Sequence, residues 1–469
     1  MNPFLNPITS TSFIRDLIFD PGRLQRLTPE KIRRYRDKAF RRALIYAYKV
    51  PLYHKKYREA GIHPNDVKGI KDITKLPFIK KRDLIEHFPD GIVPTGYNKD
   101  KAHIIRTSGS TGKPLSLYID FSTMSKFLVA YVRKLRIYNL NWRKIRFANI
   151  GNFTTNHIDL VFHEGFKSKM RPFFSFKNNL IMNGFDPIYD IIKKLDEFKP
   201  DIVLSYPATF RLLAFLKRKG HGKNINPEVA LVSGSVTDEY TKSYVEDAFN
   251  CRMLNVYGST ESGMDIAFEC FERIWHINYD FYHVEAIDKN MEVVSQGERG
   301  HIALTRMFGM GTPIIRYIGM DDWVTLRSYY KCPCGLHTPI IEGGVKGRIS
   351  ADIFLPNGRL FSAASFASMS HFVLHNLKTY KVKQFQIIQK KIDEIDILLV
   401  IDENLRDSEP AVDFIFKKLK EVYKEKTGPE ININVKEVKE IKSPFGKPAP
   451  VVISHVKPEV GYEIIEARC

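Results

Sequence analysis

The sequence predicts a large α/β domain followed by a smaller α+β domain. From about residue 103 to residue 257, short β-prone runs alternate with segments of helical periodicity, which is typical of an α/β domain. After about residue 347 this alternation gives way to a hairpin and strand-like runs around one helix. A chain of 469 residues also exceeds the length over which one hydrophobic core usually grows. We therefore expect an N-terminal domain of residues 1–347 and a C-terminal domain of residues 348–469.

The predicted elements follow this plan in order. Residues 24–61 have a helical composition, so the part up to about residue 100 is expected to be mainly helical, with a loop-rich stretch at Pro77, Pro89 and Pro94. The α/β part is then built from predicted strands at 103–106, 144–150, 201–206, 229–233 and 252–257 and predicted helices at 123–138, 209–219 and 237–250. In the C-terminal domain, Asn357 and Gly358 favour a tight hairpin turn. Predicted strands at 384–389, 395–401 and 431–438 and a helix at 411–426 follow.

Composition limits the classes of partner. Hydrophobic residues make up 43% of the chain and aromatic residues 12%, enough for the cores of a globular protein. The formal net charge of +19 attracts anions, but the basic residues are spread along the chain without a run of five like charges. We therefore expect no nucleic-acid partner and keep phosphorylated small molecules as candidates.

Apolar segments and cysteines predict the cellular setting. No apolar stretch reaches about 18 residues, the length that a membrane span needs, and Arg15 and Asp16 interrupt the N-terminal apolar stretch. We therefore expect no transmembrane segment, no secretory signal and a cytoplasmic location. The cysteines are too few and odd in number for a disulfide framework, so they are expected to be reduced thiols or metal ligands. They are Cys251, Cys270, Cys332, Cys334 and Cys469.

Residues 107–113 have the composition of a phosphate-binding loop. Gly109 and Gly112 allow the backbone to approach a polyphosphate, and the Lys113 ammonium supplies positive charge. Hydroxyl donors come from Thr107, Ser108, Ser110 and Thr111. The segment is not a Walker loop, because only two residues separate its glycines and Pro114 follows the lysine. Taken alone, it fits a polar hairpin turn equally well.

A second polar segment follows the predicted strand at 252–257. It contains Tyr257, Gly258, Ser259, Thr260 and Glu261. Because ligands of α/β sheets bind at the carboxyl ends of strands, Glu261 could hold a Mg²⁺ ion that bridges ATP phosphates. Tyr257 could face a purine or a substrate ring. Taken alone, Tyr257 could equally be a core residue and Glu261 a surface residue.

Together these two segments resemble the phosphate-binding and Tyr-Gly-x-Thr-Glu motifs of the adenylate-forming superfamily, and within it the phenylacetate-CoA ligases and the CapK proteins of capsular polysaccharide. The stretches at 50–53, 76–81 and 206–207 add to the likeness, which spans roughly residues 45–450. The resemblance implies a large adenylate-forming N-terminal domain and a small mobile C-terminal lid. It also implies ATP, Mg²⁺ and CoA as cofactors.

The resemblance assigns further nucleotide-binding residues. Ser233 and Gly234 match a loop against the adenine. Asp321 matches the aspartate that holds the ribose hydroxyls, with Asp322 as the alternative. Arg348, which follows Gly347, matches an arginine at the domain hinge that lies near ribose or phosphate.

The implied reaction has two steps. The substrate carboxylate attacks the α-phosphorus of ATP and pyrophosphate leaves; the acyl group then passes to an acceptor thiol after the C-terminal domain rotates. Lys113 and a Mg²⁺ ion on Glu261 would neutralise pyrophosphate. Lys447, which follows Gly446, matches the catalytic lysine that stabilises the charge developing in the first step only.

This resemblance implies an AMP-forming acid:CoA ligase that acts on an aryl or other hydrophobic acid such as phenylacetate. An alternative keeps the adenylation but places the protein in surface polysaccharide biosynthesis, as a CapK-like enzyme with a different acid or acceptor. The expected partners are the acid and CoA, and a homodimer is left open.

Cys332, Pro333, Cys334 and Gly335 have the knuckle form of zinc sites, although two cysteines supply only two of four ligands. Cys270 and His276 resemble a Cys and a His found in many of these ligases. The resemblance therefore implies a structural zinc ion with Cys270, His276, Cys332 and Cys334 as ligands. The alternative is four reduced or buried groups without a metal.

Two other classes of protein explain fewer features of the sequence. A basic zinc-containing nucleic-acid binder would explain the net charge and the Cys-x-Cys pair, but not the ordered series of phosphate-site motifs. A non-catalytic scaffold would not explain the presence of Lys113, Glu261, Arg348 and Lys447.

Overall fold

The computed structural model describes most of the chain. The described residues are 7–107, 114–170, 176–184, 186–235, 237, 239–263, 265–320, 322–345, 352–357, 359–361, 363–377, 379, 381–441, 450–456 and 463–465. Several predicted site residues lie outside this part, namely Ser108, Gly109, Ser110, Thr111, Gly112, Lys113, Asp321, Arg348 and Lys447.

The helices in the described part of the chain are α1 (Pro7–Phe19), α2 (Arg23–Arg26), α3 (Pro29–Tyr48), α4 (Pro51–Glu59), α5 (Lys81–His87), α6 (Phe121–Ile137), α7 (Ile158–Met170), α8 (Ile188–Phe198), α9 (Pro207–Arg218), α10 (Glu239–Phe249), α11 (Ala363–Asn376) and α12 (Val412–Thr427). Their ends follow local capping rules. Thr28 accepts a hydrogen bond from the Lys31 N–H and Pro29 opens α3. Asp120 caps α6 in the same way.

The strands are β1 (His103–Arg106), β2 (Ser116–Ile119), β3 (Phe147–Gly151), β4 (Asn179–Asn183), β5 (Ile202–Ser205), β6 (Val229–Val232), β7 (Arg252–Gly258), β8 (Asp265–Glu269), β9 (Trp275–Ile277), β10 (Tyr282–Ile287), β11 (Arg299–Arg306), β12 (Trp323–Lys331), β13 (His337–Ile341), β14 (Ile353–Phe354), β15 (Arg359–Phe361), β16 (Val382–Lys391), β17 (Glu394–Ile401), β18 (Asn432–Glu437), β19 (Val452–Ser454) and β20 (Glu463–Ile465). Every strand and helix predicted above is present within a few residues.

The sequence did not predict the strands β4, β8 to β13, β19 and β20 or the helices α7, α8 and α11. Most residues of β8 and β11 are buried, so these strands lack the alternation of apolar and polar residues that identifies a half-buried strand. The predicted hairpin near Asn357 is confirmed, since Ile353 pairs with Phe361 in antiparallel register.

The chain divides into two compact units. Unit 1 contains residues 1–147, 151–181 and 254–345, and unit 2 contains residues 148–150, 182–253 and 346–469. Unit 2 therefore joins residues 182–253 to the C-terminal part of the chain. The domain boundary between residues 347 and 348 stays a prediction.

Unit 1 is built around an antiparallel sheet with the strand order β10-β11-β12-β13-β9-β8-β7. Its core includes Phe40, Leu117, Ile266 and Leu304. The buried guanidinium of Arg133 on α6 donates hydrogen bonds to both carboxylate oxygens of Asp280, at 3.0 and 2.7 Å. Such a buried pair satisfies two charges that would each be costly to leave unpaired.

Unit 2 contains the parallel pair β5 and β6 and a four-stranded sheet with the order β18-β17-β16-β19. Tyr423 on α12 belongs to the same core cluster as Ile387 and Ile397 of that sheet. Its hydroxyl donates to the Phe366 carbonyl of α11 at 2.9 Å. None of the described helices has the length and apolar character needed to cross a membrane.

Candidate functional site

Strands β1 and β2 hold the two ends of the predicted phosphate-binding loop. They pair in antiparallel register with Arg106 opposite Ser116. The Thr107 N–H donates to the Leu115 carbonyl at 2.9 Å, and the Leu115 N–H donates to Thr107 Oγ1 at 2.9 Å. The Thr107 hydroxyl thus accepts a hydrogen bond at the base of the loop and keeps its own hydrogen for donation. Residues 108–113, which carry the remaining predicted donors, lie outside the described residues.

The loop that follows β3 lies beside the start of this segment. The Arg106 N–H donates to the Asn156 carbonyl at 2.8 Å. Asn156 has a φ of 62°, a left-handed conformation that asparagine tolerates better than most residues. This loop is not among the predicted site segments, although its Asn and Thr residues after a predicted strand are a turn signal.

Tyr257 lies at the end of β7 and Glu261 in the turn that follows, and their side chains contact Asp322 and Tyr317. The Tyr257 hydroxyl donates to Asp322 Oδ2 at 2.7 Å, and the Tyr317 hydroxyl donates to Glu261 Oε1 at 2.9 Å. Glu261 is buried, with 7% of its surface exposed. The alternative of an ordinary surface glutamate is therefore wrong. Tyr257 is half-buried and packs against the core of unit 1.

The turn that carries Glu261 is fixed by hydrogen bonds between its backbone N–H groups and two serine hydroxyls. The Ser259 N–H donates to Ser262 Oγ at 2.9 Å, and the Ser262 N–H donates to Ser259 Oγ at 3.1 Å. The buried Arg306 guanidinium donates to the Glu261 carbonyl at 3.2 Å. A carboxylate on such a constrained turn provides an oxygen ligand of the kind that Mg²⁺ prefers.

Of the two neighbouring aspartates, only Asp322 belongs to the described residues. Asp321, the predicted ribose ligand, lies outside the described residues. Asp322 is described, and one of its carboxylate oxygens accepts the hydrogen bond from Tyr257. The assignment of the ribose to Asp321 therefore stays a prediction, and Asp322 has a separate contact that the sequence did not predict.

The predicted adenine loop lies in unit 2, after β6. The Ser233 N–H donates to the Ser205 carbonyl at the end of β5, at 3.1 Å. Gly234 has a φ of 87°, and a Cβ atom there would lie 2.8 Å from the Tyr206 ring. Only glycine fits both the backbone angle and this contact. The loop therefore brings Ser233 and Gly234 next to Tyr206 at the carboxyl ends of two parallel strands.

Two hairpin turns and one strand of unit 1 bring together the four predicted zinc ligands. Cys270 follows β8, His276 lies on β9, and Cys332 and Cys334 lie around the turn between β12 and β13. One ligand atom from each residue lies within 4.8 Å of all the others. Cys270 Sγ lies 3.8 Å from Cys332 Sγ, and Cys334 Sγ lies 3.3 Å from His276 Nε2.

These distances fit a tetrahedral metal site. A Zn–S distance of about 2.3 Å places two tetrahedral sulfur ligands about 3.8 Å apart. Hydrogen bonding with Cys334 and His276 lowers the pKa of the Cys270 thiol, whereas hydrogen bonding with Cys270 raises the pKa of Cys334 and burial raises the pKa of Cys332, so Cys270 is the thiol of this cluster that ionises most readily. Cys270, Cys332 and His276 are buried, so the donors face one another rather than solvent.

Thr338 is a further member of this cluster that the sequence did not identify. Its hydroxyl lies 2.9 Å from His276 Nδ1, and both residues are fully buried. A metal-binding histidine usually donates its other ring N–H to such an acceptor, which fixes the ring orientation. No local sequence pattern links the two residues, because they lie on neighbouring strands β9 and β13.

We expect Thr338→Val to weaken zinc binding about 10- to 100-fold, because the substitution removes the acceptor that orients His276. The measurement is competition for zinc with a chromophoric chelator. Thr427→Val is the matched control, since Thr427 is equally buried and also makes one hydrogen bond, at 2.8 Å, far from the cysteines in sequence. Equal zinc affinity in both variants would rule out this role for Thr338.

The chain is similar to known proteins of one kind. The family model of the CapK C-terminal domain matches residues 364–454. The phenylacetate-coenzyme A ligase of Thermus thermophilus is 25% identical over 334 residues, which cover 69% of this chain and 72% of the relative. The phenylacetate-coenzyme A ligase of Pseudomonas putida is 26% identical over 323 residues, or 65% and 68% of the two chains.

A solved structure is similar over nearly the whole chain. It is 2-hydroxyisobutyryl-CoA ligase in the postadenylation state in complex with R3-HIB-AMP, with a TM-score of 0.73 and 17% identity. The alignment covers 96% of this chain and 92% of that ligase. The chain has the fold of the adenylate-forming CoA ligases. The resemblance inferred from the motifs is thereby confirmed.

Two hydrogen bonds connect segments of the site that are distant in the sequence. Tyr257 and Glu261 come from the Tyr-Gly-x-Thr-Glu motif, whereas Tyr317 and Asp322 lie close in sequence to Asp321, the predicted ribose ligand. The hydrogen bonds Tyr257–Asp322 and Tyr317–Glu261 join these two segments in unit 1. The nucleotide-binding roles of these residues stay predictions.

Proposed function

We propose that this protein is an AMP-forming acid:CoA ligase that activates a carboxylic acid with ATP and transfers the acyl group to CoA. The observation that carries this proposal is the match of 334 residues to the phenylacetate-coenzyme A ligase of Thermus thermophilus. The similar solved structure is also a CoA ligase, with an acyl-AMP molecule in its complex. An aryl or other hydrophobic acid is the proposed substrate class.

The described residues support parts of a nucleotide site. Glu261 would hold a Mg²⁺ ion that neutralises charge on the ATP phosphates, as a buried carboxylate on a rigid turn can do. Tyr257 would lie against the nucleotide, with its hydroxyl fixed by Asp322. Ser233 and Gly234 would form the adenine loop.

The remaining roles rest on the motifs. Residues 107–113 would bind the phosphates, Asp321 the ribose, and Arg348 the ribose or phosphate. Lys447 would meet the negative charge that develops between the acid and the α-phosphate. Charge stabilisation of this kind is commonly the largest single contribution to catalysis.

A second candidate keeps the adenylation and changes the acid or the acceptor. The match of residues 364–454 to the CapK C-terminal domain favours this alternative, since CapK proteins are associated with surface polysaccharide. The two candidates share the first half-reaction and differ in what receives the acyl group.

ATP–pyrophosphate exchange tests the shared step. The purified protein would be assayed with CoA withheld across phenylacetate, benzoates, hydroxy acids and fatty acids. We expect exchange with one class of acid, because adenylation is reversible while the acyl-adenylate stays bound. Subsequent addition of CoA should yield a thioester and AMP. A thioester would support the ligase, whereas exchange without thioester would favour the second candidate.

We also propose a structural zinc ion bound by Cys270, His276, Cys332 and Cys334. The ligand distances and the Thr338 contact support it. A site with four protein ligands leaves no open position for substrate, so the zinc would stabilise the turns of β8–β9 and β12–β13 rather than take part in catalysis. Elemental analysis of protein purified without chelators should find about one zinc ion per chain.

A further inference from the structure

Tyr317 is buried, and it contacts the carboxylate of Glu261 directly. None of the Tyr317 surface is exposed, and its hydroxyl lies 2.9 Å from Glu261 Oε1. An ionised carboxylate only accepts hydrogen bonds, so the tyrosine is the donor. A donor to a charged group makes one of the stronger hydrogen bonds in a protein.

The backbone of Tyr317 is fixed on both sides. Its N–H and carbonyl exchange hydrogen bonds with Leu304 on β11, each at 2.9 Å. The flanking residues are bound to Ile79, which donates to the Arg316 carbonyl and accepts from the Ile318 N–H, both at 3.0 Å. The phenol ring therefore projects from a backbone held between two segments of unit 1.

The two oxygens of the Glu261 carboxylate have different surroundings. The Tyr317 hydroxyl occupies Oε1 with its hydrogen bond. Of the residues that the structure describes, none donates a hydrogen bond to the other oxygen, Oε2.

We propose that Tyr317 is a positioning residue that fixes the Glu261 carboxylate and leaves Oε2 for a divalent cation bound with the nucleotide. This inference rests on the proposed function, because it assumes that Glu261 holds the cation. A hydrogen-bonded partner behind a metal ligand restricts the orientation of the ligand and commonly changes metal affinity 10- to 100-fold.

Tyr317→Phe tests the inference, because it removes the hydroxyl and leaves the ring. Mn²⁺ binding in the presence of a non-hydrolysable ATP analogue would be followed by electron paramagnetic resonance. We expect the Mn²⁺ dissociation constant to rise about 10- to 100-fold. In ATP–pyrophosphate exchange, the Mg²⁺ concentration for half-maximal rate should rise by a similar factor.

Tyr57→Phe is the matched control. Tyr57 is as deeply buried as Tyr317, but its hydroxyl has no hydrogen-bond partner among the described residues. Its removal should leave the Mn²⁺ affinity unchanged. Equal weakening of Mn²⁺ binding in both variants would contradict a specific role for the hydrogen bond from Tyr317.

A double-mutant cycle with Glu261→Gln separates the role of Tyr317 from a general loss of packing. If Tyr317 acts through Glu261, adding Tyr317→Phe to Glu261→Gln should weaken Mn²⁺ binding no further. Unchanged Mn²⁺ affinity in Tyr317→Phe, with exchange intact in the unsubstituted protein, would overturn the inference alone. If the unsubstituted protein bound neither Mn²⁺–nucleotide nor ATP, both the inference and the proposed function would be overturned.

Discussion

Lys447→Ala is expected to lower the rate of acyl-adenylate formation by about 100- to 1,000-fold, the usual effect of removing one group that stabilises developing charge. ATP binding should be nearly unchanged, because the proposed role of the lysine lies in the transition state of the first step. Transfer of the acyl group from a pre-formed acyl-adenylate to CoA should also persist. The three quantities are measured by pyrophosphate exchange, equilibrium binding of ATP and single-turnover thioester formation.

Lys439→Ala provides the control for this experiment. Lys439 is an exposed lysine that follows β18 in the same C-terminal part of the chain, so its removal changes the net charge equally. Full exchange activity in Lys447→Ala would contradict the assignment of the catalytic lysine. Equal losses in both variants would indicate a general effect of charge instead.

Cys332→Ser is expected to abolish stoichiometric zinc binding and to lower the free energy of unfolding by more than about 4 kcal/mol, a loss typical of removing a metal ligand. The physical reason is that the zinc site joins two hairpin turns that lie 62 residues apart in sequence, as the contact between Cys270 and Cys332 indicates. Zinc content and urea unfolding of the purified variant measure the two effects. A chelator strong enough to remove zinc should destabilise the unsubstituted protein in the same way.

Cys251→Ser is the control for the zinc prediction. Cys251 is a free and partly buried cysteine that does not belong to the metal-binding cluster. The Cys251→Ser variant should retain one zinc ion and most of the free energy of unfolding. A Cys332→Ser protein with full zinc content and unchanged unfolding would show that the four groups do not form a metal site.

The sequence by itself determined many of the strands and helices of the α/β part and of the C-terminal part, but not β4, α7, α8 or α11. The predicted strand at 103–106 is identical to β1, and the predicted helix at 411–426 differs from α12 by one residue at each end. These elements could be predicted because hydrophobic periodicity and turn residues act over short stretches of chain. The Tyr257–Glu261 motif and the Cys332–Cys334 pair were recognisable for the same reason, since their chemistry is contiguous.

Only the tertiary structure decided which residues support these motifs. Tyr317 is 56 residues from Glu261, Asp322 is 65 residues from Tyr257, and Thr338 is 62 residues from His276. It also joined residues 182–253 to the C-terminal part of the chain in one compact unit. A hydrogen-bond partner across such separations depends on which strands become neighbours and in what register, and local periodicity carries no information about either choice.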